Sequence, residues 1–242
     1  NAAGEATYVE DVFSTYLYTG NFSTQTITNG IDLDGEGGLV WIKNRSYSYQ
    51  HHLVDTERGP TKKLATNSTS NEITQTNNVD SFNSDGFSIN FRDEVNSNGR
   101  TYASWTFRKA PKFFDVVTYT GTGTVQNISH NLGSVPGCII VKETGASSDW
   151  QVYHRGLDST APEDYVIELN RTDNRTNSAS AWNDTAPTSK HFTVGTKNAT
   201  NGSNDSFVAY LFAHNDGDGI FGESGDQDII KCGSYTGTGS AG

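Results

Sequence analysis

Methionine is absent from this 242-residue chain, and cysteine and proline number only two and five. Two cysteines cannot build a disulfide framework. Lysine and arginine reach 17 against 28 acidic residues, a net charge of −11. That balance leaves no electrostatic footprint for nucleic acid, so none is expected as a partner. Long apolar runs are missing too: the longest, Phe207–Ala213, has seven residues. A helical span needs roughly 20, so no membrane partner is expected. No segment sustains a 3.6-residue apolar period, which argues against a helical core. The sequence opens Asn1-Ala2-Ala3-Gly4 without a signal-type apolar stretch, and reads as a processed product or a piece of something longer.

What is abundant is strand and turn chemistry. Serine, threonine and asparagine number 24, 29 and 22, close to a third of the chain. They favour strands, turns and backbone caps over helix interiors. Twelve Phe, eleven Tyr and four Trp supply apolar area that a disordered polar chain would lack.

The most informative feature is an internal repeat. Tyr18-Thr19-Gly20 recurs at Tyr119-Thr120-Gly121 and again at Tyr235-Thr236-Gly237, after 101 and then 116 residues. Gly38–Lys43 resembles Gly137–Lys142, and Arg58-Gly59 matches Arg155-Gly156. Gly86–Ile89 matches His191–Val194, and Tyr102–Phe107 matches Phe207–Phe212. Phe87 to Tyr102 and Phe192 to Phe207 are both 15 residues. Blocks in one order at near-equal spacing define two copies of one unit.

The blocks read as strands separated by Gly, Asn, Asp and Ser turns. The short apolar runs Leu39–Lys43 and Cys138–Lys142 fit strands buried on both faces or in a sandwich core. Asn98-Gly99 is read as a hairpin turn. Pro60–Ala65 and Pro162–Leu169, the best helix candidates, are read as short turns or strands. The expected fold is all-β, two tandem jelly-roll or immunoglobulin-like sandwiches. Residues 1–12 form an N-terminal extension, 13–112 the first unit and 113–228 the second. Residues 229–242 resemble the first strand of a third unit, with Ile229, Ile230, Cys232 and Tyr235 as an assembly strand.

Three stretches, Tyr8–Gly20, Tyr102–Val117 and His130–Lys142, carry a family resemblance. They resemble an uncharacterised repeated domain of tail-fibre-like and other virion structural proteins of aquatic bacteriophages, also met in environmental sequences. The resemblance spans about residues 8–242. It implies a β-rich virion or extracellular module, and it brings no catalytic residues with it.

Candidate chemistry is sparse. His51-His52 lies before Asp55 and Glu57, but adjacent strand residues point to opposite faces, which does not suit a metal pair. Arg58 and Arg155 repeat whereas His154 does not, so the arginines are expected to pair structurally with carboxylates. Cys138 and Cys232 align with strand positions and lack an adjacent base, so they read as core residues, with a bridge between them as the alternative. The acidic insertion Asn215–Asp228, present only in the second copy, offers Asp216, Asp218 and Glu223 as calcium ligands without the full loop spacing. Ten Asn-x-Ser/Thr sequons occur, Asn44 and Asn201 among them. Trp41 and Trp105 align with core positions. Trp150 and Trp182 lie in turn-rich text and are the candidates for an exposed sugar-stacking platform.

These features point to a structural subunit of a phage appendage or extracellular filament, joined to copies of itself by terminal strand addition. Tyr16, Ile229 and Tyr235 would set its register. The competing reading is an adhesion module that binds surface glycans. Neither an enzyme nor a cofactor is expected.

Overall fold

A computed structural model describes residues 6–239, and the blocks that repeat in the sequence become strands. The first unit holds β1 (Phe13–Thr19), β2 (Gln25–Thr28), β3 (Gly38–Asn44), β4 (His52–Asp55), β5 (Lys62–Lys63), β6 (Ile73–Thr74), β7 (Val79–Asn83), β8 (Gly86–Ile89) and β9 (Thr101–Arg108). The second holds β10 (Phe114–Thr120), β11 (Gln126–Ser129), β12 (Pro136–Glu143), β13 (Gln151–His154), β14 (Tyr165–Glu168), β15 (Thr176–Asn177), β16 (His191–Val194) and β17 (Ser206–Ala213). Helices are single turns: α1 (Val9–Val12), α2 (Asp93–Asn96), α3 (Ala179–Trp182) and α4 (Asn198–Asn201). None of the described helices is long and apolar enough to cross a membrane. The expected all-β sandwich class is what forms.

Both units share one topology. The first has a sheet ordered β1-β9-β3-β4 facing a smaller sheet β2-β8-β7. The second has β10-β17-β12-β13, extended by β14-β15, facing β11-β16. All pairings are antiparallel, and Thr19↔Thr101 in β1·β9 has its equivalent in Thr120↔Ser206 of β10·β17.

The repeated Tyr-Thr-Gly is a lock. Tyr18 stacks on Tyr102 with ring centroids 5.0 Å apart, and its hydroxyl donates to the Val95 carbonyl at 2.7 Å. Tyr119 stacks on Phe207 at 5.1 Å and donates to the Thr200 carbonyl at 2.6 Å. The glycine is required by close approach: a Cβ on Gly20 would strike the Ser97 carbonyl oxygen, and one on Gly121 that of Gly202. Buried Asn96 and Asn201 complete the lock. Each accepts from the loop after the first strand (Asn21 N at 2.9 Å; Thr122 N at 2.8 Å) and donates to it (Ser23 O and Thr124 O, both at 2.6 Å). Asn201 and Asn44 are buried, so their sequons are not open to glycosylation.

Strand alternation builds three cores. In β3, Val40 and Ile42 face the first unit's own core with Phe87 and Ile89, whereas Leu39 and Trp41 face the second unit. In β12, Ile139 and Val141 face the second unit's core with Phe192 and Trp182, and Ile140 faces the first unit. The large sheets thus pack against each other through a shared core that includes Phe114, Val116, Trp150 and Tyr210. Burial on both faces explains why these strands read as continuous apolar runs. The loop at 65–72 tightens the joint: Glu72 N donates to Thr144 O, and Ser148 N to Thr69 O, both at 2.9 Å.

Two local expectations meet different outcomes. Asn98-Gly99 is not a hairpin: it leads from α2 into β9, because β8 pairs with β2 and β7 instead. The tight hairpin is Ser84-Asp85, between β7 and β8, with Asn83↔Gly86 closing it. Pro60–Ala65 is a turn that enters β5, as read from the sequence, whereas Pro162–Leu169 opens with a single 3₁₀ turn, Pro162–Asp164, before β14.

A polar cluster beneath β4 makes the fold sensitive to acid. Burial pushes the His52 imidazole below its ordinary 6.5. The His52 ring and the Lys63 ammonium push the Glu94 carboxyl down to about 2. Of the two, Lys63 is the close contact, at 2.7 Å against 3.9 Å for the ring. A carboxylate depressed in the folded state stabilises above its ordinary pKa, and that contribution is lost as pH falls through the folded value. Glu94 is therefore expected to stabilise the fold above pH 4.5 and to lose that contribution as pH falls towards 2. His52 adds a loss that begins below pH 6.5, where only the unfolded chain binds its proton readily. Urea midpoints measured across pH should fall in both windows, and Glu94→Gln should flatten the lower one.

Candidate functional site

The C-terminal segment and its cradle gather most of the candidate site residues. β17 runs into the acidic insertion, whose buried Asn215 holds the returning chain. Its Oδ1 accepts from Ile229 N at 3.1 Å and Ile230 N at 3.2 Å, its backbone N–H donates to Ile230 O at 2.9 Å, and its Nδ2 donates to Lys112 O at 3.0 Å. Ile229 and Ile230 are partly buried against the shared core, and Ile230 also touches the second unit's core. Cys232 N donates to His214 Nδ1 at 3.0 Å, and its thiol meets the Ala213 carbonyl at 3.4 Å. Beside this lies an open cleft of about 370 Å³, lined in part by Pro136, Tyr153, Arg155, Asp158 and His214.

Beyond Cys232 the chain becomes exposed, with Ser234 still packed beside Gly156. Residues 233–239 are exposed and form no strand, and Tyr235 is 94% exposed. A Cβ on Gly237 would meet nothing within 4 Å, in contrast to Gly20 and Gly121. So the structure divides the expected assembly strand. Ile229, Ile230 and Cys232 are engaged within the chain, and Tyr235 is presented outward. Residues 240–242 of that segment, and 1–5 of the N-terminal extension, lie outside the described residues. Elsewhere in that extension, Val12 is buried in the shared core.

The calcium ligands do not assemble. Asp218 pairs with Lys112 at 3.1 Å, and Asp216 with Lys231 at 3.5 Å. Asp228 accepts the amides of Gly217 at 2.8 Å and Gly219 at 3.0 Å, and Glu223 sits in an exposed turn. Among the described residues no three metal-ligating side chains come together. The insertion is a plug instead: Phe221 is buried in the shared core, its ring 6.4 Å from Phe113.

The tryptophan platform is also corrected. Trp150 and Trp182 are both buried, because each indole N–H finds a carbonyl inside the protein. Trp182 donates to Tyr165 O at 3.1 Å, and Trp150 donates to Ser68 O at 3.0 Å in the other unit. Trp41 and Trp105 are partly buried and pack edge to face at 6.0 Å. Both cysteines are free, so the bridge is not formed. Burial, and then the neighbouring Cys232, pushes the Cys138 thiol up to about 12. Burial also raises Cys232, against the pull of Arg155. Both thiols are thereby kept from the reactive thiolate form.

Of the repeated arginines, Arg58 pairs as expected and Arg155 does not. Arg58 reaches Asp55 at 2.6 Å and Glu72 at 2.9 Å. Arg155 is exposed on the cleft and makes no ion pair among the described residues.

A family profile described as DUF7483, a domain of unknown function, matches residues 9–242. The chain belongs to this family. One DUF7483 profile spans both units and the C-terminal segment, which is how the shared core also binds them. No curated protein and no solved structure matches the chain.

Proposed function

We propose that this DUF7483 chain is a structural assembly module, which joins copies of itself head to tail by strand addition. The observation that carries the reading is the idle Tyr-Thr-Gly of the tail. The same signature is locked into a core in each unit, yet Tyr235 and Gly237 touch little in this chain. A receiving edge is at hand in β1. It is the terminal strand of its sheet, seven residues long, without charge or proline, and with Leu17 58% exposed. Proteins usually blunt such an edge with charges, prolines or bulges. Main-chain hydrogen bonds from residues 233–239 to β1 of the next copy would give affinity, and Tyr235 and Tyr16 would set register. A contact between two different surfaces is heterologous and builds open arrays unless its rotation closes. The setting we propose, a virion surface or extracellular filament, rests on the family resemblance alone.

The test is electron microscopy and light scattering of three proteins: intact, truncated after Gly233, and Leu17→Lys. Truncation there spares the docked residues 229–232, and Leu17 is a surface side chain, so both variants should fold. Intact protein is expected to give elongated assemblies, and both variants single subunits. Intact protein that stays monomeric at high concentration removes the proposal.

A further inference from the structure

One end of the first unit carries side chains that its sister unit does not. Three loops meet there, after β1, after β3, and around α2. Gly20 N donates to Arg100 O at 2.8 Å, Phe22 N to Asn96 O at 2.9 Å, and Arg45 N to Thr101 O at 2.8 Å. The Phe22 and Phe91 rings, both about half exposed, lie 6.3 Å apart, edge to face. Tyr47, also about half exposed, lies 4.9 Å from Tyr49, with the Arg100 guanidinium 4.4 Å from its ring centre.

The second unit has the same three loops joined by equivalent bonds: Gly121 N to Asp205 O, Gly123 N to Asn201 O, and Thr144 N to Ser206 O, all at 2.8 Å. Position by position, Phe22 corresponds to Gly123, Tyr47 to Ala146, Tyr49 to Ser148 and Phe91 to Thr196. Phe22 has φ of +56° where Gly123 has +71°. The turn requires a left-handed residue, and glycine adopts that conformation without strain. A phenylalanine there pays steric strain to hold an apolar ring at the surface, a pattern that clusters at ligand sites.

Charge follows the same contrast. Arg45, Arg92 and Arg100 occupy this end, and none makes an ion pair among the described residues, in a chain where acids outnumber bases 28 to 17. The residues that correspond to Arg45 and Arg100 are Thr144 and Asp205, whereas Arg92 corresponds to Lys197, which pairs with Glu168 at 3.8 Å.

We propose that this loop end binds an acidic saccharide. The Phe22 ring and the exposed part of Tyr47, one face of which holds the Arg100 guanidinium, would take the apolar faces of the sugars, and the guanidinium groups, free of ion pairs among the described residues, their carboxylate or sulfate oxygens in the forked geometry that suits them. Duplex nucleic acid would bring one charge per roughly 1.7 Å of its axis against a chain of net charge −11, which favours the lower charge density of an acidic saccharide. This site uses no residue of the tail or of β1, so it stands apart from the assembly reading.

The test is calorimetric titration of Leu17→Lys protein, which is expected to be monomeric, with an oligogalacturonate, a chondroitin sulfate oligomer, a neutral mannan oligomer and a single-stranded oligonucleotide. At least one acidic oligosaccharide should bind, with affinity falling as salt rises, and the mannan at least tenfold more weakly. Phe22→Gly restores the sister unit's residue and relieves the positive φ. It should raise the thermal midpoint or leave it unchanged while weakening binding at least tenfold, and Tyr47→Ala should weaken binding likewise. The proposal is overturned if neither acidic oligosaccharide binds at millimolar concentration. Binding that survives Phe22→Gly and Tyr47→Ala, or oligonucleotide binding tighter than either glycan, also overturns it.

Discussion

Arg58→Met is expected to lower stability by about 3–5 kcal/mol, because it strands a buried carboxylate. Asp55 is fully buried beneath the joint between the two units. Its Oδ2 receives Arg58 Nε at 2.7 Å and the Tyr210 hydroxyl at 2.7 Å, the latter from the other unit. The guanidinium also reaches Glu72 at 2.9 Å, Lys62 O at 3.0 Å and the Tyr210 oxygen at 3.1 Å. Without it, Asp55 keeps a hydroxyl and an amide but no positive charge. For a chain of this size the thermal midpoint should fall roughly 6–20 °C. Tyr210→Phe removes the bond donated to Asp55 and the one accepted from Arg58 but leaves the ion pair, and should cost less, about 1–3 kcal/mol. Asp55→Leu combined with Arg58→Met should recover part of the loss, since removing both charges relieves the stranded one. Urea denaturation followed by tryptophan fluorescence measures all three. A loss under 1 kcal/mol for Arg58→Met would show that the network is not buried in solution.

Trp150→Ala is the second large effect, expected to cost about 3–5 kcal/mol. The indole is fully buried, stacks on Tyr210 at 6.4 Å, and donates to Ala65 O at 3.2 Å and Ser68 O at 3.0 Å across the joint. The same truncation at an exposed platform would change stability by about 0.5 kcal/mol or less. Because the shared core belongs to both units, unfolding should remain a single transition at a lower midpoint. Amide exchange should rise in β3 and β9 as well as in β12 and β17. Two separated transitions, or a rise confined to the second unit, would contradict the shared core.

The repeat was legible because one half of each lock falls in three consecutive residues, although Val95 and Asn96, or Thr200 and Asn201, close it from far along the chain. Tyr-Thr-Gly needs an aromatic, a strand residue and a glycine in a row, so the signature survives in the letters. Trp150 was misread because its partners at 65 and 68 come from the other unit, where turn-rich sequence around it says nothing of burial. Asp216 and Asp218 read as ligands because their lysine partners, Lys231 and Lys112, lie far along the chain or past the loop. Asn98-Gly99 has hairpin chemistry, but strand order is set by which apolar faces meet, and β8 and β9 belong to different sheets. Phe22 stands out in the sequence itself: aligned on Tyr-Thr-Gly, it sits opposite Gly123.

The most direct test of strand-mediated assembly is hydrogen–deuterium exchange of intact protein over a hundredfold concentration range. The account predicts that amides of residues 234–239 and outer-edge amides of β1 gain protection together as concentration rises, and that both gains disappear in Leu17→Lys. Exchange in both segments that is fast and independent of concentration, while the cores stay protected, would contradict it.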